Sequence, residues 1–137
     1  MRNGTTTPRK AGRPRQPVAR DELLLVARKA FSEVGYAGAS MADIARRAGL
    51  RKASLFHHFP SKEALYLEVM AALITDMGKL VFDADLSDAD FLERLDRLSE
   101  LLVRYLGEHP EAARLLLRDA LDRGPFIAGP GQPGVVA

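Results

Sequence analysis

Apolar side chains recur every three or four positions through most of the chain, which is the period of an amphipathic helix. Six helices are predicted in this way, over residues 18–34, 40–48, 52–59, 61–82, 89–106 and 110–123. Glycine or proline follows most of these segments, as is usual where a helix ends. Ser87 or Asp88 is predicted to cap the fifth helix. The pattern therefore predicts an all-α fold.

The second and third predicted helices form a helix-turn-helix pattern. Ser40 is a suitable N-cap, and Asp43 three residues later can complete a capping box. Gly49 is placed for a left-handed turn between the two helices. The helix after it is too short to be stable alone. It must be held by packing, and Leu55 and Phe59, one turn apart, are its predicted anchors.

The other face of the third helix is predicted to point outward. This face is small, polar and partly basic, and it carries Lys52, Ala53, Ser54, His57 and His58. A rigidly held helix with such a face suits insertion into the major groove of DNA. Lys52 can be bidentate to guanine there, and the Ala53 methyl can contact a thymine methyl. The three residues at the front of the helix are therefore predicted to read base edges.

This segment resembles the N-terminal region of TetR-type transcriptional regulators over about residues 23–73. The matching residues are Ser40, Ile44, Ala45, Ala48, Gly49, Leu50, Ala53, Ser54, Leu55, Phe56, Phe59, Ser61, Lys62, Glu63 and Leu65. The resemblance implies a three-helix DNA-binding bundle over residues 19–62, followed by a helical ligand and dimerisation region over 63–124. It also implies a transcriptional regulator, most often a repressor that occludes a promoter. Induction then requires a dimer whose two recognition helices change their spacing when a ligand binds.

The resemblance assigns roles to individual residues as well. Ser40 at the start of the second helix and Lys62 at the start of the fourth are expected to contact phosphates. Two positions depart from the family pattern. Arg51 stands where a Ser or Thr N-cap is usual, and Phe56 stands where a tyrosine hydroxyl binds a phosphate. Either change is expected to lower affinity or to shift the recognised DNA sequence without removing the motif.

The charge distribution supports double-stranded DNA as the partner. Residues 1–60 contain 12 Lys and Arg against 4 Asp and Glu, a net charge of +8, whereas residues 61–137 have a net charge of −6. A basic N-terminal half is the electrostatic signature of a nucleic-acid-binding protein. A charged run can also be an ordinary solvated surface, but its coincidence with a helix-turn-helix favours DNA.

Residues 1–18 are predicted to be a disordered basic arm, because Gly, Pro, Thr and Arg dominate and no apolar period is present. The Gly-Arg-Pro sequence around Arg13 resembles an AT-hook, in which an extended arginine enters a narrow minor groove. The alternative is a flexible basic tail that adds only nonspecific attraction.

Several classes of function are excluded by the remaining patterns. The chain has no Cys, which excludes disulfides and thiolate chemistry and agrees with a cytoplasmic location. No apolar run reaches membrane-spanning length, and no Gly-rich phosphate loop or nucleophile elbow indicates an enzyme. His57 and His58 point about 100° apart on a helix, so they are not expected to chelate a metal. Instead, one imidazole is expected at a phosphate and the other near a base edge or sugar. No cofactor is predicted.

The C-terminal helical region is predicted to be incomplete. Family members continue with helices that complete a ligand pocket and pair two subunits. Residues 125–137, with three Pro and three Gly, are instead predicted to be an irregular tail. Apolar faces on the last three helices are therefore expected to stay partly uncovered. The resemblance implies a small-molecule effector site enclosed by the last three helices, which Met70, Met77, Phe82, Phe91 and Tyr105 could line. Plain core packing of the same residues is the favoured alternative.

A second interpretation comes from a different class of function. The chain would be an interaction module that does not bind DNA and pairs with a full-length relative through its last three helices. The missing dimer region and the departures at Arg51 and Phe56 favour it. Retained DNA affinity would count against it.

Overall fold

The computed structural model describes residues 18–122 and 124–129, and these ranges contain seven helices and no strand. The helices are α1 (Arg20–Gly38), α2 (Met41–Arg47), α3 (Lys52–His58), α4 (Lys62–Asp83), α5 (Phe91–Glu108), α6 (Pro110–Asp122) and α7 (Pro125–Ala128). The predicted all-α fold is confirmed, and α1 to α6 overlap the six predicted helices. Residues 1–17 of the predicted basic arm, which include Arg13, and residues 130–137 of the predicted tail lie outside the described residues.

Glycines and serines define the ends of the first helices. Gly35, with a φ of 77°, interrupts α1, and Gly49, with a φ of 71°, makes the turn between α2 and α3. Both conformations are left-handed and suit glycine. Ser40 caps α2 by accepting a hydrogen bond from the backbone N–H of Asp43 at 3.1 Å. Ser61 caps α4 in the same way. These local signals were predictable, because each depends on residues close in sequence.

Two predictions about helix ends are wrong. We expected Ser87 or Asp88 to cap the fifth helix, but Asp90 does so. Its carboxylate accepts from the Glu93 N–H at 2.9 Å, and the Glu93 carboxylate accepts from the Asp90 N–H at 3.3 Å. This reciprocal capping box stabilises the later start. The predicted irregular tail also begins with a helical turn, α7, whose first residue is Pro125.

The buried carboxylate of Asp119 explains why α7 forms. It accepts hydrogen bonds from the backbone N–H of Ile127 at 2.9 Å and from the Tyr66 hydroxyl at 2.7 Å. Gly124 packs directly on the same carboxylate. Burial and the nearby Asp119 raise the pKa of the Tyr66 hydroxyl well above its usual value, so this hydroxyl stays a donor. A side chain of α6 therefore ties α7 to α4.

The core lies where α1 packs against α2, α4 and α6. An aromatic cluster stands at its centre. The rings of Phe31 and Tyr66 meet edge to face with centroids 4.9 Å apart, and Tyr36 packs against Tyr66 at 5.0 Å. Because α4 contributes to the same core as the helix-turn-helix, its first turn is held firmly beside α1 and α3.

Apolar faces of the last helices are uncovered, as expected from the sequence. Phe82 at the end of α4 is 90% exposed and Phe91 at the start of α5 is 77% exposed. Further exposed apolar side chains on α5 and α6 are Leu92, Leu95, Leu102, Val103, Leu117 and Leu121. None of the described helices has the length and apolar character needed to cross a membrane.

Candidate nucleic-acid interface

The third helix is anchored by one face and open on the other. Leu55 and Phe59 are fully buried, as their spacing predicted. Lys52, Ala53 and Ser54 at the front of α3 are all exposed. Complete burial of Leu55 within this seven-residue helix and of Phe59 at its C-cap holds α3 against the core, because each side chain contributes about 2 kcal/mol only when it is in its site. The exposed front of α3 is therefore presented by a rigid support.

Lys52 and Phe56 form a pair along the exposed face of α3. The Lys52 ammonium lies 5.9 Å from the centroid of the Phe56 ring, at the outer limit of a cation–π contact. Phe56 is 39% exposed and has no hydroxyl, so it cannot make the phosphate contact of the family tyrosine. Its ring instead faces the lysine one turn before it.

The end of α2 carries two arginines that are held by carboxylates. Asp43 accepts hydrogen bonds from the side chains of Arg46 and Arg47, and Arg47 also pairs with Glu33 on α1 at 2.7 Å. The hydrogen bond from Arg46, together with the charge of Arg47, holds the pKa of Asp43 below its usual value. Asp43 therefore carries full negative charge at neutral pH and offsets part of the positive charge of α2.

His57 and His58 end the third helix at its surface. Their ring centroids are 6.1 Å apart and the ring planes cross at 76°, so the two rings do not converge on one point. No group of three potential metal ligands occurs within residues 18–122 and 124–129. His58 is half-buried and its ring centroid lies 6.4 Å from that of the buried Phe59, whereas His57 is exposed.

Lys62 is turned toward the protein rather than outward. Its ammonium donates hydrogen bonds to the carbonyl oxygens of Tyr36 at 2.9 Å and Ala39 at 3.3 Å, and it lies 4.4 Å from the centroid of the Tyr36 ring. Lys62 thus joins the first turn of α4 to the segment that leads into α2. The resemblance predicts a phosphate contact here, and the internal contacts account for two of the three ammonium hydrogens.

Arg20, at the start of α1, makes three contacts that were not predicted from the sequence. Its guanidinium donates to the carbonyl oxygen of His58 at 3.1 Å and pairs with Glu68 of α4 at 2.5 Å, and its Cζ lies 4.3 Å from the centroid of the Phe59 ring. One signal was available. A cation in the first turn of a helix is unfavourable for the helix dipole, which indicates that it has a partner elsewhere.

The predicted effector lining is not assembled in one place. Met70 and Tyr105 are buried in the core, whereas Phe82 and Phe91 face solvent. The prediction fails because apolar periodicity does not distinguish a pocket wall from a core or from an uncovered face. A cleft of about 350 Å³ lies instead between α1 and α4, lined by Asp21, Leu24, Leu25, Arg28, Val69, Ala72, Thr75, Asp76 and Lys79.

Comparison with known proteins identifies the helix-turn-helix. Residues 23–69 match the model of the bacterial regulatory proteins, tetR family. The HTH-type transcriptional regulator RutR of Escherichia coli is 30% identical over 105 residues, which cover 77% of this chain and 49% of RutR. The HTH-type transcriptional activator FasR of Mycolicibacterium smegmatis is 30% identical over 131 residues, which cover 93% of this chain and 60% of FasR.

A solved structure agrees with these sequence matches. The TetR family transcriptional regulator PfmR from Thermus thermophilus superposes with a TM-score of 0.61 at 34% identity, over 80% of this chain and 62% of PfmR. The chain thus spans about half to three fifths of the length of these relatives. They are transcription regulators and not enzymes, in agreement with the prediction from the sequence.

Proposed function

Because the chain belongs to the tetR family of bacterial regulatory proteins, we propose that it binds double-stranded DNA as a sequence-specific transcription regulator. The observation that carries the proposal is the geometry of α3. Leu55 within α3 and Phe59 at its C-cap are fully buried, and the front of the helix is exposed. A recognition helix needs both features, since it must enter the major groove without losing its own support.

In this proposal the exposed residues divide into two roles. Lys52, Ala53 and Ser54 contact base edges and specify the sequence. Phosphate contacts come from the Ser40 hydroxyl, which accepts from Asp43 and keeps its own hydrogen to donate, and from His57 or His58. Such contacts set the register on the duplex without reading it.

Other residues contribute weaker or separate contacts. Phe56 offers its ring beside the backbone where the family has a hydroxyl, so one phosphate contact is lost. Arg13 in the basic arm extends into the adjacent minor groove, where a narrow A·T tract attracts arginine. The resemblance assigns Lys62 a contact with a DNA phosphate. This role needs a direct test, because the Lys62 ammonium already donates to two carbonyl oxygens of the protein.

We further infer that the regulator acts in the cytoplasm as a repressor that occludes a promoter, with a small-molecule effector and a homodimer as in the family. The exposed apolar side chains of α5 and α6 support a dimer or a larger helical region, because such a face is unfavourable in water. The relatives include an activator by name, so the sign of regulation needs its own measurement.

In-vitro selection from a random DNA pool at about 0.15 M salt tests the proposal, since this salt concentration suppresses nonspecific binding. We expect one enriched motif, and a palindrome of two half-sites would also support the dimer. The Lys52→Ala variant provides the matched control and should enrich a motif that is degenerate at one position. A wild-type chain that binds DNA without enriching any sequence would refute sequence-specific recognition.

The second candidate function is an interaction module that pairs with a full-length relative. The exposure of Phe91 and Leu92 at the start of α5 favours it, as does the lack of a side-chain cap at Arg51. The same selection experiment separates the two functions. A module of this kind gives no enriched motif alone, but lowers the DNA occupancy of a full-length relative when both are mixed.

A further inference from the structure

The third helix has few contacts that determine its rotation. It is seven residues long, and Arg51 at its N-cap makes no side-chain hydrogen bond to it. Leu55 and Phe59 bury its apolar side, but apolar contacts are not directional. Directional contacts at the C-terminal end of α3 therefore determine the rotation of the helix, and with it the direction in which its front faces. At this end the last carbonyl oxygens have no partner within the helix.

Arg20 supplies the missing directional contacts. It donates to the His58 carbonyl at 3.1 Å, and its positive charge lies at the negative end of the α3 dipole. Its Cζ stacks 4.3 Å from the Phe59 ring centroid, and Glu68 of α4 fixes the other side of the guanidinium at 2.5 Å. Three contacts of different geometry thus meet on one planar group. A lysine cannot satisfy them together, because its ammonium is a point charge without a stacking face.

We propose that Arg20 is a positioning residue for the recognition helix. It fixes the rotation of α3 against α1 and α4, and thereby determines which base edges the front of α3 meets. The inference rests on the proposed DNA-binding function. It differs from a phosphate contact in its chemistry, since the guanidinium donors described here are directed at a carbonyl and a carboxylate of the protein itself.

Two variants of the full chain separate positioning from charge. Arg20→Lys keeps the positive charge but loses the stacked, forked geometry. Glu68→Gln keeps Arg20 but removes the charge of its partner, and it also removes a negative charge near the proposed DNA-binding surface. Arg104→Ala is the control, because the partner of Arg104 among the described residues is Glu100, on the surface of the same helix α5. Fluorescence anisotropy would measure binding to the selected site and to a shuffled duplex of the same composition.

We expect Arg20→Lys to lower the ratio of specific to nonspecific affinity about tenfold, from the loss of a charge-assisted hydrogen bond and a cation–π contact. The salt slope should stay unchanged, because the charge is kept. Glu68→Gln should lower the same ratio, whereas simple electrostatics predicts stronger binding to both duplexes. A wild-type ratio in Arg20→Lys, or equally tighter binding of both duplexes by Glu68→Gln, would overturn the inference.

Amide hydrogen exchange in the free chain gives a readout that needs no DNA. Exchange across residues 52–58 should be faster in Arg20→Lys and unchanged in Arg104→Ala, with α5 exchanging equally in all variants. If the wild type fails to discriminate between duplexes but Arg20→Lys still loosens α3, the proposed function is wrong and the positioning role is supported. Unchanged exchange in α3 would overturn the positioning role whatever the DNA result.

Discussion

Replacing Lys62 by methionine removes an ammonium that the structure uses internally, while the length of the side chain is kept. The carbonyls of Tyr36 and Ala39 then lose their donor, and the Tyr36 ring loses its cation. A hydrogen bond from a charged group contributes about 1.5–3 kcal/mol, and an exposed cation–π contact about 0.5–1 kcal/mol. Because Lys62 is only half-buried and water can replace it at the carbonyls, we expect a loss of about 2 kcal/mol in unfolding free energy.

Thermal unfolding followed by circular dichroism measures this loss. For a chain of this size about 4 °C is lost per kcal/mol, so the midpoint should fall by roughly 8 °C. Lys79→Met is the matched control on the same helix, because the ion pair of Lys79 within the described residues is a long surface contact with Asp76 at 3.9 Å. It should change stability by less than about 0.5 kcal/mol.

The salt dependence of DNA binding distinguishes this internal role from the phosphate contact that the resemblance implies. The slope of log affinity against log salt is negative, and the loss of one phosphate contact reduces its magnitude by about 0.9. With its ammonium directed at two carbonyls, Lys62→Met should leave the slope unchanged once binding is measured well below the unfolding midpoint. A slope reduced by about one, with an unchanged midpoint, would refute the internal role and support the phosphate contact.

Four further substitutions have defined outcomes. Lys52→Ala should cost about 1–3 kcal/mol of affinity at one base-pair position only, and a uniform loss across a panel of singly substituted sites would show a phosphate contact instead. Gly124→Ala places a Cβ 2.1 Å from a carboxylate oxygen of the buried Asp119 and should destabilise by about 1–3 kcal/mol. Gly78→Ala, with open space around it, should stabilise by up to about 1 kcal/mol; equal denaturation midpoints for the two variants would contradict the clash. Because burial raises the pKa of the Tyr66 hydroxyl, its stabilisation is full below about pH 10 and is lost as pH rises above it. Tyr66→Phe should therefore show a shallower alkaline fall of the melting temperature, and parallel curves would refute this.

Local features of the fold were predictable from the sequence, because each depends on residues within one or two helical turns. The apolar period located α1 to α6, and Gly49 and Ser40 were correctly assigned to a left-handed turn and a cap. The capping box of α5 was also visible in principle. Of three neighbouring candidates, only Asp90 has a glutamate three residues later, and this criterion selects it over Ser87 and Asp88.

Contacts between distant segments were not predictable, because no periodicity records them. The His58 carbonyl and Arg20 are separated by 38 residues, and Tyr66 and Asp119 by 53. In each contact, the sequence alone predicts only an exposed charged side chain or an ordinary helical residue, and it does not indicate the partner. The inward direction of Lys62 belongs to the same class, since its position on the fourth helix is compatible with either a phosphate or a carbonyl partner.

The internal pairing of these cations changes how the charge of the N-terminal half should be understood. Residues 1–17 hold five Lys and Arg and no acidic residue, so residues 18–60 contribute only +3 of the net +8. Within that segment Arg20, Arg28, Arg46 and Arg47 are all paired with carboxylates of the protein. Little unpaired positive charge therefore belongs to the described helix-turn-helix, and five further Lys and Arg lie in residues 1–17 of the sequence. Affinity through phosphate attraction and specificity through α3 are thus expected to depend on different parts of the chain, since the first follows the number of unpaired cations and the second follows the aim of a rigid helix.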